Sequence, residues 1–98
     1  MTRRLVFRRA ASQDFEDAAL WYESRRPGLG GEFQSAIEDA LRLIQADPLM
    51  YPRVHLLVRR VRVRRFPYAV YFLVESDRIV VLSVFHARRD PRVWQSRA

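Results

Sequence analysis

The stretch from Tyr68 to His86 most narrows the folds open to this chain. YAVYFLV (68–74) and IVVLSVF (79–85) are apolar at nearly every position, with Glu75, Ser76, Asp77 and Arg78 between them. A half-exposed strand alternates apolar and polar residues, whereas a strand apolar on both sides is buried on both sides. Ser76-Asp77 suits a two-residue hairpin turn. The spacing therefore predicts an antiparallel pair, Tyr68–Glu75 with Ile79–His86, at the centre of a sheet. Other segments must then cover its two faces.

Two helices supply one cover. Ser12 precedes Asp14, Glu16 and Asp17. Negative charge suits a helix N-terminus, so Ser12 is the predicted N-cap. Phe15, Ala18, Ala19 and Tyr22 recur at helical spacing until the breaker Pro27-Gly28-Leu29-Gly30-Gly31. Phe33, Ala36, Ile37, Ala40, Leu41 and Ile44 repeat the pattern, and Pro48 closes it. Helices over 12–26 and 31–46 with so short a link form an antiparallel hairpin.

Leu5 to Phe7 reads as a short first strand, and Leu56 to Arg65 as another, joined to Tyr68 through Phe66-Pro67. The order is β-α-α-β-β-β. This is an α+β fold, a helical hairpin packed on one face of a mostly antiparallel sheet, forming a single domain over 1–98. Phe15, Tyr22, Phe33, Ile37, Leu41, Ile44, Val70, Phe72 and Leu82 are the predicted core. The second sheet face lacks a helix. Either a partner chain covers it, or tyrosine hydroxyls and the C-terminal tail do. Trp94 is placed to pack that tail onto the sheet, with stacking on a nucleobase as its other physical option.

Charge is divided unevenly. Every basic residue is arginine; residues 1–50 carry seven against eight acids, and residues 51–98 carry eleven against three. The one-sided excess predicts an acidic partner for the second half, either nucleic acid or an acidic protein segment. In HLLVRRVRVRR, Arg60, Arg62 and Arg64 fall on one strand face. The chain has no cysteine and two histidines, His55 and His86. Disulfides and thiolate metal sites are excluded, and no metal or other cofactor is indicated. No run approaches the ~18 apolar residues of a membrane span. The N-terminus shows no apolar signal region, which predicts a cytoplasmic protein.

Trp21-Tyr22, Gly28-Leu29-Gly30 with Phe33, Tyr51-Pro52, RRFPYAVYF (64–72) and VFHARRDPRVW (84–94) together resemble the RelE/ParE superfamily of toxins from type II toxin–antitoxin modules, on the ParE-like, plasmid-stabilisation branch. The resemblance spans nearly the whole chain and implies the same fold. It implies a small basic cytoplasmic toxin, held in a hetero-oligomer by an acidic antitoxin that wraps it. RelE-like members cut messenger RNA in the ribosome. ParE-like members are regarded as inhibitors of DNA gyrase without nuclease chemistry.

Metal-free RNA cleavage needs a base, an acid and cations for the developing phosphate charge. His86 is the acid–base candidate, since histidine alone exchanges protons readily near neutral pH. Arg64, Arg65 or Arg89 would supply the cation. The chain departs from several ribonucleolytic relatives: Ala87 follows His86, no tyrosine occurs after Tyr71, and lysine is absent. His86 also has a structural reading, as a strand-end cap with an imidazole nitrogen bonded to a backbone carbonyl or to Asp90. Arg89 and Asp90 are placed to pair or to cap a turn. Three functions follow: a gyrase-inhibiting toxin, a ribosome-dependent ribonuclease using His86, Arg65 and Arg89, or a non-toxic member that only binds an acidic partner. In a binding function, Arg60, Arg62, Arg64, Tyr71, Arg88, Arg89 and Trp94 form the partner surface.

Overall fold

The computed structural model describes residues 3–98. The elements are β1 (Arg4–Phe7), α1 (Arg9–Arg25), α2 (Leu29–Ala46), β2 (Arg53–His55), β3 (Val58–Arg62), β4 (Tyr68–Val74), β5 (Arg78–His86) and a last helical turn, α3 (Arg92–Gln95). The strands form one sheet in the order β1-β5-β4-β3-β2, with β1 parallel to β5 and the other neighbours antiparallel. This is the α+β arrangement expected, with the two-sided apolar strands inside the sheet. Glu75 N–H bonds to Arg78 C=O (2.8 Å), closing the Ser76-Asp77 turn.

Three local expectations are corrected. The first helix starts at Arg9, not Ser12, and Ser12 is not its cap. Arg8 decides this. Its N–H completes the β1–β5 ladder on Val81 C=O (3.0 Å), while its own carbonyl accepts the Ser12 N–H (3.1 Å). One residue thus ends the strand and begins the helix, and the acids fall beyond the first turn. The expected Leu56–Arg65 strand shortens to Val58–Arg62, and a strand the sequence did not indicate, Arg53–His55, precedes it. Leu56 takes a left-handed φ of 51° and turns the chain between His55 and Val58, which pair. No glycine, asparagine or aspartate marks that turn, so its chemistry is silent in the sequence. At the far end β3 stops at Arg62, and Arg65 bends the chain with φ 70°. Arg64 therefore leaves the strand face shared by Arg60 and Arg62.

The helix hairpin closes tightly. Gly28 takes φ 89°, a conformation suited to glycine. The Glu23 carboxylate at the end of α1 accepts the N–H groups of Gly28 (2.9 Å) and Gly30 (3.0 Å), so α1 caps the start of α2. A Cβ on Gly30 would lie 2.7 Å from the Ala19 carbonyl, so only glycine permits this approach.

Phe33, Ile37, Ile44, Val70 and Phe72 are fully buried between helices and sheet, and Leu82 is buried on the other face. Phe15, Tyr22 and Leu41 are half-buried at the margin. A bulge in β5 explains how both faces stay apolar: Phe72 faces Val81 and Tyr71 faces Ser83, so Leu82 is inserted. Val81 and Val84 then both point toward the helices, and Leu82 and Phe85 point away. The tail covers that second face. Trp94 is 4 % exposed, stacked on Tyr71 with centroids 4.1 Å apart and planes at 19°.

Candidate functional site

The site is built on an unequal pair of strands. β1 has four residues and β5 nine, so β5 runs on past its neighbour. An open strand edge leaves backbone groups to be satisfied. Asp14 from α1 does part of this. Its Oδ2 accepts the Val84 N–H (3.2 Å) and the Ser83 hydroxyl (3.0 Å). Arg97 reaches in from the tail, donating to Asp14 Oδ2 (2.6 Å) and to the Leu82 carbonyl (3.2 Å). The ion pair is largely buried, its side chains 15 % and 22 % exposed.

Beside this closure lies a cleft of about 580 Å³ between α1, the start of β4 and the end of β5. Trp21, Tyr22 and Ala18 form the α1 side; Pro67, Tyr68, Val84, His86, Arg88 and Arg89 form the other, with Asp14 and Asp17 at the margin. Tyr68 and His86 meet edge to face with centroids 5.2 Å apart, as cross-strand partners of β4 and β5. Burial pushes the phenols of Tyr22 and Tyr68 above the ordinary tyrosine range. At Tyr68 the Arg89 cation opposes the shift and Asp14 adds to it; at Tyr22 the Tyr68 phenol adds to it. Both hydroxyls stay protonated at neutral pH and can donate.

In place of the expected backbone carbonyl or Asp90, His86 Nδ1 takes a backbone donor, accepting the N–H of Arg88 (3.0 Å). A backbone N–H only donates, so Nδ1 holds a lone pair and the neutral ring carries its proton on Nε2. Arg89 lies 4.6 Å from the Phe85 ring centroid. The expected Arg89–Asp90 pair is replaced: Asp90 takes the Arg92 guanidinium through both oxygens and accepts the Arg92 N–H (3.0 Å) at the start of α3. The Arg92 hydrogen bonds hold its carboxyl below the usual carboxylate range. Among the described residues, Arg88 and Arg89 have no carboxylate partner.

The remaining sequence candidates go elsewhere. Arg60 faces Tyr71 on the neighbouring strand, and with Arg62 it lines a smaller groove beside Tyr71 and Ala87. Arg64 and Arg65 border a third hollow with Ser35 and Asp39 of α2. His86 and Arg89 thus share the main cleft, while Arg65 lines a different hollow. No group of metal-ligating side chains occurs among the described residues.

The family described as "ParE toxin of type II toxin-antitoxin system, parDE" matches residues 5–91. The chain belongs to this family. No curated protein sequence matches it. Among solved structures, it resembles a chain of the "Chromosomal ParDE TA system from P. aeruginosa", with a TM-score of 0.78 and 19 % identity, covering 89 % of this chain and 98 % of that one. At that identity the likeness speaks for the fold.

In this ParE-family chain the aromatic walls escaped the sequence reading. Tyr22 was assigned to the core, and Trp21 and Tyr68 were given no role. A signal for Trp21 existed. It lies at the flank of the Phe15–Ala18–Ala19–Tyr22 stripe, where a large aromatic meets solvent, and it is 51 % exposed. The Arg25 guanidinium sits 4.5 Å over its ring.

Proposed function

We propose that this ParE-family toxin acts by binding: it inhibits DNA gyrase, cuts no RNA, and is neutralised by an acidic antitoxin in a hetero-oligomer. The hydrogen bond at His86 Nδ1 carries the reading. A general base needs a free lone pair facing the proton it removes. Here the Nδ1 lone pair is committed to Arg88 N–H, which in the neutral ring leaves the proton on Nε2. A neutral imidazole N–H is also a poor acid. Tyr68 stays protonated, and Arg65 borders another hollow. The cleft offers hydrogen-bond donors and cations, which suits recognition of an acidic surface better than proton transfer. The family match supports toxicity, and the excess of arginine over acids in residues 51–98 supports an acidic neutralising partner.

The test is induction of the wild-type chain in cells, scoring message cleavage on ribosomes and gyrase-linked DNA breaks together. Breaks without cleavage are expected. Growth inhibition should survive His86→Gln, which keeps an acceptor for Arg88 N–H, and weaken in Arg88→Glu/Arg89→Glu. Message cleavage that disappears in His86→Gln would replace this reading with the ribonuclease, since loss of a general acid or base costs about 100-fold or more in rate.

A further inference from the structure

Away from the cleft, four large apolar side chains stand in solvent along the β2 edge of the sheet. Leu49 and Met50 belong to a 3-10 turn, Pro48–Met50, and Leu56 and Leu57 form the β2–β3 turn. All four are more than half exposed. The two pairs bracket β2, whose three residues span about 10 Å. Arg59 ties the first pair to β3, its Nη1 donating to the carbonyls of Leu49 (3.3 Å) and Tyr51 (2.5 Å). Neither packing nor conformation accounts for Leu56. It is exposed, and its φ of 51° strains a leucine where asparagine or glycine would sit freely. Strain kept at an exposed apolar residue points to a use outside the molecule. Charge indicates what kind of partner that is. Residues 48–74 hold six arginines and no acid. Arg53 and Arg59 are cross-strand partners, and like charges placed so destabilise a sheet unless an anion lies against them. Arg53 has no carboxylate partner among the described residues. At the same end of the sheet as Leu56, Asp77 follows the Glu75–Arg78 ion pair (2.6 Å) in the next turn, and Arg4, level with Arg78 on β1, offsets it.

We propose that this edge makes a shallow, reversible contact with an anionic lipid surface. Leu49, Met50, Leu56 and Leu57 enter the headgroup boundary, and Arg53, with the free N–H groups of Arg59, pairs with lipid phosphates. The contact needs no membrane span and does not depend on what the toxin inhibits. Aliphatic side chains beside arginine are the composition of interfacial contacts, and basic residues near an anionic leaflet strengthen them. A nucleic acid would use the arginines but leave four aliphatic side chains in water. A second copy of the chain, paired along β2, would bury the leucines but set the acid-free edges of two cationic molecules together. Pro52 and Arg53 are also the residue types that keep an edge strand from pairing.

The test is co-sedimentation of the full chain with vesicles of phosphatidylcholine alone or of an equal mixture with phosphatidylglycerol. Binding to the mixed vesicles is expected, and about tenfold weaker binding to the neutral ones. Leu56→Asn/Leu57→Ser should weaken binding to mixed vesicles by about tenfold or more, because the burial of two leucines is lost. Arg53→Glu should weaken it by about fivefold or more. Leu20→Ser, at an exposed leucine of α1, should bind as wild type. All the substituted side chains are exposed, and circular dichroism checks that each variant folds. Leu56→Asn alone relieves the strained turn, so weaker binding by this variant does not arise from unfolding. The chain has no cysteine, so a fluorophore attached at Leu57→Cys labels one place, and its emission should shift to the blue on mixed vesicles. The proposal is overturned by absent binding, by equal binding to neutral vesicles, or by an unshifted fluorophore. Binding that either the leucine or the arginine variant leaves intact, or that Leu20→Ser weakens as much, overturns it too. A lipid-free dimer in analytical ultracentrifugation that disappears in Leu56→Asn/Leu57→Ser would assign the edge to a second copy instead.

Discussion

Asp14 looks in the sequence like a first-turn acid serving a helix dipole, but the fold uses it to finish a sheet. Its carboxylate replaces the strand that β1 is too short to provide, and Arg97 neutralises it. Asp14→Ala would leave the Ser83 hydroxyl, the Val84 N–H and the Arg97 cation without their acceptor. Each unsatisfied buried group carries a penalty, so the loss should be about 2–4 kcal/mol. Arg97→Ala should cost less, about 1–2 kcal/mol, because Asp14 keeps its two sheet donors. Urea denaturation of both variants measures this ordering, and an Asp14→Ala as stable as wild type would mean that solvent satisfies the edge. A second residue-scale effect concerns alkali. Tyr22 and Tyr68 have phenol pKa values raised in the folded state, so the folded chain holds those protons longer than the unfolded one. The stability they contribute is complete below the unfolded value of about 10 and is lost as pH rises through the folded values. Denaturation midpoints taken from pH 8 upward should fall steeply past that point, and Tyr68→Phe should flatten the fall.

At the scale of elements, periodicity was a good guide where burial is one-sided and a poor one where a turn lacks turn residues. The α2 stripe from Phe33 to Ile44 and the Tyr68–His86 hairpin were legible because their apolar spacing has one structural solution. The β2–β3 turn was not, because Leu56-Leu57 reads as more strand. The start of α1 was missed for a related reason: the ladder bond at Arg8 is a long-range contact that no local signal reports. The site was legible in its charges, Arg88, Arg89 and His86, but its aromatic walls were hidden inside a helix pattern taken to be core. The turn yields its own prediction. Leucine at φ 51° is strained, and Leu56 is 73 % exposed, so its side chain supports little packing. Leu56→Asn puts a residue tolerant of that conformation there and should raise stability by about 0.5–1 kcal/mol. A lower thermal midpoint would show that the exposed leucine has packing contributions. Gly30→Ala runs the other way. Its methyl group would press on the Ala19 carbonyl, force α1 from α2 and cost about 1–3 kcal/mol.

Across the whole molecule six of the eighteen arginines border three separate hollows: Arg60 and Arg62 beside Tyr71, Arg64 and Arg65 next to α2, and Arg88 and Arg89 at the cleft. An acidic protein approaching any of these three places meets attraction before contact, so charge speeds the encounter. In the proposed complex, buried apolar and aromatic surface would hold the partner, with the cations at its rim. Salt should therefore act on the two rates unequally. Exposed charges are screened within a Debye length, about 10 Å at 0.1 M salt, so association with the antitoxin should slow roughly tenfold as salt rises from about 50 to 500 mM. Dissociation, governed by the seated apolar contacts, should change by less than about twofold. Surface plasmon resonance over that salt series reads both rates. Loss of affinity by about three to five decades between 50 and 200 mM, the counterion-release signature of many phosphate contacts, would mark the partner as a nucleic acid. Dissociation accelerating as much as association slows would place the arginines in the core of the interface, with Trp21 and its neighbours outside it.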